Sequence, residues 1–192
     1  MDINPGTKLG VLLLVLAAIL LFAGCTQPSP VTQTTPAPTA TTAAPTLTPT
    51  ASAANETLKT ELASLAAGFA KEIDGQALAA VLKEGPNSTA FAGVLGQLKA
   101  FKERDPRIAY VYTLEQQNGT VMFIVDAHYG HPDASQYLEV YDDAPIELKT
   151  PVTAPMGAGP YTDKWGTFYS GYAPVDAGSN ATVILIGVDV VA

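Results

Sequence analysis

The sequence predicts an α+β domain in which two helices precede an antiparallel sheet. Three observations carry this reading. Apolar residues recur with a helical period from Glu56 to about Lys83, the period changes to alternation after Ile108, and two pairs of alternating runs are each joined by a turn. Helices first and paired strands afterwards belong to the α+β class, with helices covering at least one face of the sheet.

Ahead of the domain, MDINPGTK is followed by LGVLLLVLAAILLFAG, about sixteen residues without a charge, and then by Cys25. That run is short for a membrane span and suits the apolar centre of a secretory signal. Ala23 and Gly24 before the chain's only cysteine resemble a lipobox, the signal of prokaryotic lipoproteins. Phe22 stands where a Leu is usual, and Lys8 is the only basic residue ahead of the core. The resemblance implies a signal peptide over residues 1–24 and a mature chain beginning at a lipidated Cys25. An uncleaved N-terminal anchor is the alternative. Either reading puts the remainder outside the cell membrane and tethered to it. A single cysteine also excludes an intrachain disulfide and a Cys-rich metal site.

Residues 25–55 form the tether. TQPSPVTQTTPAPTATTAAPTLTPTASAAN carries no charge and few large apolar side chains, so it buries too little to offset its conformational entropy. It reads as an extended Thr/Pro-rich linker open to O-glycosylation. Four of the five asparagines, Asn55, Asn87, Asn118 and Asn180, head N-x-S/T triplets, a pattern expected of an N-glycosylated exterior. Together with the lipobox this points to an archaeal cell surface.

Residues 56–192 form one domain. Leu58, Leu62, Leu65, Phe69 and Ile73 make one apolar stripe on a long helix running to about Lys83, which Gly85-Pro86 ends. Asn87 or Ser88 caps a second helix with Phe91, Val94, Leu95, Leu98 and Phe101 on its buried face. IAYVYTLEQ and TVMFIVDAHY flank Asn118-Gly119, the strongest short hairpin signal. Residues 130–163 are irregular, with a short helix near DDAPIELK. WGTFYSGYAPV and ATVILIGVDVV close the domain as a second hairpin across DAGSN.

YVYTLEQQNGTVMFIVDA, the Tyr/Asp-rich insert and DKWGTFYSGYAPV…GVDV together resemble a Cache domain, the PAS-like extracytoplasmic sensor module of chemoreceptors and histidine kinases. The resemblance covers residues 56–192 and implies a PAS-like antiparallel sheet with a ligand held between it and the crossing loops. In such receptors the last strand leads into a transmembrane helix. Here the chain stops at Ala192, so the expectation is the sensory half of a receptor hung on a lipid, serving signal transduction through a membrane partner.

On that resemblance the ligand-binding candidates are Asp189 in the last strand, Trp165 and Tyr172 beside it, Tyr110, Tyr112 and Asp126 in the first hairpin, and Tyr129 and Tyr137 in the insert. Tyr141 and Tyr169 belong to the same aromatic set. An aromatic wall with one or two carboxylates suits an ammonium group, and in amino-acid-binding relatives the last-strand Asp resembles the amine partner. An amine, an amino acid or a small organic acid is the expected ligand class. Arg104 and Arg107 sit too early to grip a ligand carboxylate, which counts against α-amino acids. Each Tyr can equally be packing, and Trp165 a core plug.

Other chemistries find little support. His128, His131, Asp126 and Asp133 in DAHYGHPD follow no metal-ligand spacing. Ser170 lacks a nucleophile elbow, so no enzyme and no cofactor are expected. A net charge of −8 without a basic cluster argues against nucleic acid. Ala63, Ala66, Ala67 and Ala70 beside the Leu/Phe stripe suggest a weak homodimer through the long helix. A structural or adhesive surface lipoprotein with a filled pocket is the alternative function.

Overall fold

The computed structural model describes residues 51–178 and 182–192. The signal and anchor reading, Cys25, the tether up to residue 50 and Asn180 lie outside them. The described chain runs α1 (Ala51–Glu72), α2 (Gly75–Glu84), α3 (Thr89–Lys102), β1 (Ile108–Gln117), β2 (Thr120–Asp126), a 3-10 turn (Ile146–Lys149), β3 (Met156–Asp163), β4 (Gly166–Val175) and β5 (Val183–Val191). Its class is α+β: three helices and a five-stranded antiparallel sheet of order β2-β1-β5-β4-β3.

The expected long helix is two helices. After Ile73 the backbone turns extended at Asp74, whose carboxylate accepts from the Ala77 amide at 2.9 Å and caps α2. Periodicity alone does not see this break, because Ile73 and Leu78 on either side of it both join the same core. α1 also starts earlier than the expected boundary, so residues 51–55 are helical and Asn55 lies within α1. Ser88 caps α3 as expected, accepting from the Phe91 amide at 3.1 Å.

Asn118 and Gly119 both adopt positive φ, 52° and 80°, the geometry of the tight turn that joins β1 to β2. The short helix near DDAPIELK is the 3-10 turn. The stretch 130–163 is not wholly irregular, since its last eight residues form β3 against β4. MGAGPYTD hides a strand because its Gly and Pro residues read as turn signals.

Alternation sorts the sheet into two faces. Val111, Ala173, Val175, Ile184, Ile186 and Val188 face the helices and join Phe69, Leu78, Phe91 and Leu98 in the main core. Tyr112, Leu114, Tyr172 and Leu185 face the other way, under Tyr141, Leu148 and Val152 of the β2–β3 connection. Helices thus cover one face and the connection crosses the other. The stripe of α1 is turned inward: Leu62, Ala66 and Phe69 are buried against the sheet of the same chain. Gly171 permits this contact, because a Cβ there would lie 2.0 Å from the Leu62 carbonyl oxygen. Among the described residues no helix is long and apolar enough to cross a membrane.

Candidate functional site

The three central strands assemble the site on the face away from the helices. Tyr110 of β1 and Ser170 of β4 both stand opposite Asp189 of β5. One row along, Tyr112 and Tyr172 stand opposite Gly187. A Cβ at Gly187 would sit 2.4 Å from the Tyr112 ring, so only glycine lets that ring lie over β5. Tilted this way, Tyr112 reaches diagonally and donates to Asp189 Oδ1 at 2.9 Å, where Ser170 Oγ also donates at 2.6 Å.

A chain of hydroxyls continues outward. Tyr172 OH lies 3.2 Å from Tyr112 OH and 3.0 Å from Tyr161 OH, which lies 2.8 Å from Ser170 Oγ. The Tyr141 and Tyr161 hydroxyls lie 3.3 Å apart, and Tyr141 donates to Asp163 Oδ2 at 2.6 Å. Ser170 and Tyr112 give their protons to Asp189, and Tyr141 gives its proton to Asp163. The Tyr161 and Tyr172 protons alone serve the remaining links, which outnumber them. A proton on Asp189 would fill one more link, because the carboxyl then donates and releases a hydroxyl proton outward.

The electrostatics agree with this count. Asp189 is 3 % exposed. Burial pushes its carboxyl up to about 7, the Ser170 and Tyr112 donors oppose the shift, and the Asp163 and Asp126 charges reinforce it. Burial also pushes Tyr161 up to about 12 and holds Tyr112 and Tyr172 well above their ordinary value, so these hydroxyls stay protonated. Among the described residues Asp189 Oδ2 accepts no hydrogen bond. Asp189 lines a slot of about 10 Å³, whose walls include Tyr110, Phe123, Trp165 and Phe168. That volume is about the least that holds a single water molecule. The slot's lining holds three carboxylates, Asp126, Asp163 and Asp189, and no Lys or Arg.

Tyr110 and Trp165 belong both to this slot and to an outer cleft of about 530 Å³ that Asp133, Gln136, Glu139 and Lys164 also line. Trp165 is held edge-on by Phe123 and Tyr141, at ring distances of 5.4 and 5.9 Å. Its backbone amide donates to Asp163 Oδ1 at 2.8 Å and its Nε1 to the Asp133 carbonyl at 2.6 Å.

Of the expected site residues, Asp189, Tyr110, Tyr112, Asp126 and Trp165 converge on the slot, and Tyr172 supports it through Tyr112. Asp126 is used otherwise than expected: Oδ1 accepts from the His128 amide at 2.8 Å, and Oδ2 from the Ser135 amide at 3.1 Å and hydroxyl at 3.0 Å. It ties the loop that follows β2. Tyr129 and Tyr137, expected beside the ligand, do not line the slot. Both pack on Phe91 of α3, at 4.6 and 6.4 Å, and Tyr137 donates to the Val81 carbonyl at 3.1 Å. The loop after β2 turns them to the helix side, where their rings close the main core. Tyr169 likewise faces α1, in a cluster with Leu62 and Val190.

Ser170, Tyr161 and Asp163 are site residues that sequence reasoning missed. The position of Ser170 two residues from Tyr172 in an alternating strand is the signal that places both on one face. Tyr161 and Asp163 carry no such signal, because the Gly and Pro residues of MGAGPYTD mask β3. Among the described residues no group of three or more His, Cys, Asp or Glu stands together as a metal-holding cluster. His131 Nδ1 lies 3.8 Å from Asp133 in an exposed pair. Of the described glycosylation candidates, Asn87 and Asn118 are exposed and Asn55 is half-buried. Comparison with protein-family models, curated proteins and solved structures finds no match for this chain.

Proposed function

We propose that this protein is a lipid-anchored extracytoplasmic binding module of Cache type, and not an enzyme, that captures a small cationic solute and presents it to a membrane signalling partner. The reading joins the lipobox-like Ala23-Gly24-Cys25, which gives the anchor, to the slot, which gives the ligand. The helices ahead of an antiparallel sheet, with the second face left to a crossing connection, support the PAS-like assignment.

The observation that carries the reading is Asp189: a buried acid, one oxygen of which is held by two donors, in the lining of an aromatic slot that includes no Lys or Arg. A burial this costly needs compensation. An ammonium group supplies it by charge and by attraction to the surrounding rings. A ligand carboxylate would meet three acidic side chains and no Lys or Arg, so amines fit better than organic acids.

A second reading has its own observation. With about 10 Å³ free, the slot is filled by its own tyrosines and tryptophan, as in a structural or adhesive surface lipoprotein that kept the fold and lost its ligand. A thermal-shift screen of the full chain against amines, amino acids and carboxylates separates the two, since a ligand that binds only the native state raises its stability. The binding reading expects an amine to raise Tm, and Asp189→Asn to weaken that amine by about 1.5–3 kcal/mol. No shift with any cation supports the filled structural domain instead, and an amine whose affinity is unchanged in Asp189→Asn binds outside the slot.

A further inference from the structure

Lys164 is seated as a bound alkylammonium would be. Its Nζ lies over the Trp165 ring at 4.2 Å from the centroid, and it also pairs with the Glu139 carboxylate. The seat is more firmly built than its occupant. Trp165 is pinned at its amide and at Nε1 and braced by two aromatic edges. Glu139 is held by the Gln136 amide, which donates to Oε2 at 2.7 Å and leaves Oε1 to pair with Lys164. Lys164 is in the β3–β4 turn, with its side chain 52 % exposed, and among the described residues it makes no other hydrogen bond. An exposed pair of this kind is only weakly held.

We infer that the Trp165 face and Glu139 form an ammonium seat at the mouth of the slot, that Lys164 is its built-in occupant, and that a cationic ligand enters by displacing Lys164. The inference rests on the proposed slot reading for where the ligand goes next. The cleft of about 530 Å³ beside the seat gives the rest of the molecule room, with Tyr110 at the boundary between cleft and slot. A ligand matching the seat carries a primary or methylated ammonium on a short alkyl chain, as Lys164 does. The competition is local: a tethered ammonium lowers the affinity for a free one until the free one is abundant.

Trp165 is the chain's only tryptophan, so its fluorescence reports on the seat directly. The experiment titrates the full-length chain with n-butylammonium, with 1-butanol as the neutral probe of the same shape. Lys164→Gln should tighten n-butylammonium by about tenfold and leave 1-butanol unchanged, because the positive charge alone is exchanged. Adding Glu139→Gln to Lys164→Gln should reverse the gain. Equal affinity of wild type and Lys164→Gln, or an equal gain for 1-butanol, overturns the inference. Asp189→Asn separates it from the slot reading. If Lys164→Gln has no effect while Asp189→Asn weakens the amine, the seat fails and the slot stands. If the Lys164→Gln gain survives unaltered in Asp189→Asn, the seat stands and the slot reading fails.

Discussion

Ser170 and Asp189 stand opposite each other in register across β4 and β5, and the serine hydroxyl donates to Asp189 Oδ1 over 2.6 Å. With Tyr112 donating to the same oxygen from β1, the carboxyl of the middle strand is held by both of its neighbours. The sheet therefore fixes the direction of the acid it buries most deeply on this face. Two donors do not replace full hydration, and burial still raises the carboxyl to about 7.

That shift sets a pH dependence. The folded state holds the Asp189 proton up to about pH 7, whereas the unfolded chain releases it near the ordinary 3.8. Between those values the native state binds more protons, so this group's contribution is full below pH 3.8 and is lost as pH rises through 7. The loss is on the order of 4 kcal/mol. Asp189→Asn should remove this fall, which thermal unfolding of both proteins from pH 4 to 8 will show. Parallel profiles would mean that Asp189 does not titrate in that window.

Tyr112→Phe removes one of the two donors. Above pH 7, where Asp189 is charged, the variant should lose about 1.5–3 kcal/mol; near pH 5, where the carboxyl is protonated, the loss should be smaller. Denaturant unfolding at both pH values measures the difference. Equal losses at the two pH values would show that the hydroxyl serves packing and Tyr172 more than the charge.

Two glycines allow close approach on opposite faces, and alanine at each should separate the site from the scaffold. At Gly187 the new methyl meets the Tyr112 ring, a side chain with some room to tilt, and the cost should be about 1–3 kcal/mol. At Gly171 it meets the Leu62 carbonyl, so α1 itself must move off the sheet and the cost should reach or pass the top of that range. Chemical denaturation gives the order. A smaller cost at Gly171 would contradict the packing of α1 on β4.

Helix caps provide a local control. Asp74→Ala and Ser88→Ala each remove an oxygen that accepts from a helix amide, and each should cost about 1 kcal/mol without altering the Asp189 titration. A change in that titration would reveal coupling between the helix layer and the site.

At the N-terminus, Cys25→Ser tests the anchor. On the proposed lipid anchor, membrane fractionation and mass spectrometry should find lipid on wild type and find the variant released or unprocessed. A variant that stays membrane-bound at the mass of wild type would favour the uncleaved anchor.

What the sequence determined by itself was local. Ser88 caps its helix, Asn118-Gly119 turns its hairpin, and alternation assigns Tyr112, Tyr172 and Asp189 to their strands, because capping, turn geometry and a period of two depend on neighbours within a few residues. Only the tertiary structure decided that β5 lies between β1 and β4, which brings residues as far apart as Tyr112 and Asp189 within 2.9 Å. It also decided that the β2–β3 connection carries Tyr141 over the slot while turning Tyr129 and Tyr137 to α3. The strand within MGAGPYTD was hidden for the same reason, whereas the break at Asp74 is a local cap that a continuous apolar period masks. Strand order, the side on which a connection crosses, and pairing that overrides Gly and Pro are set by burial of whole faces against one another, and no short stretch of residues encodes that.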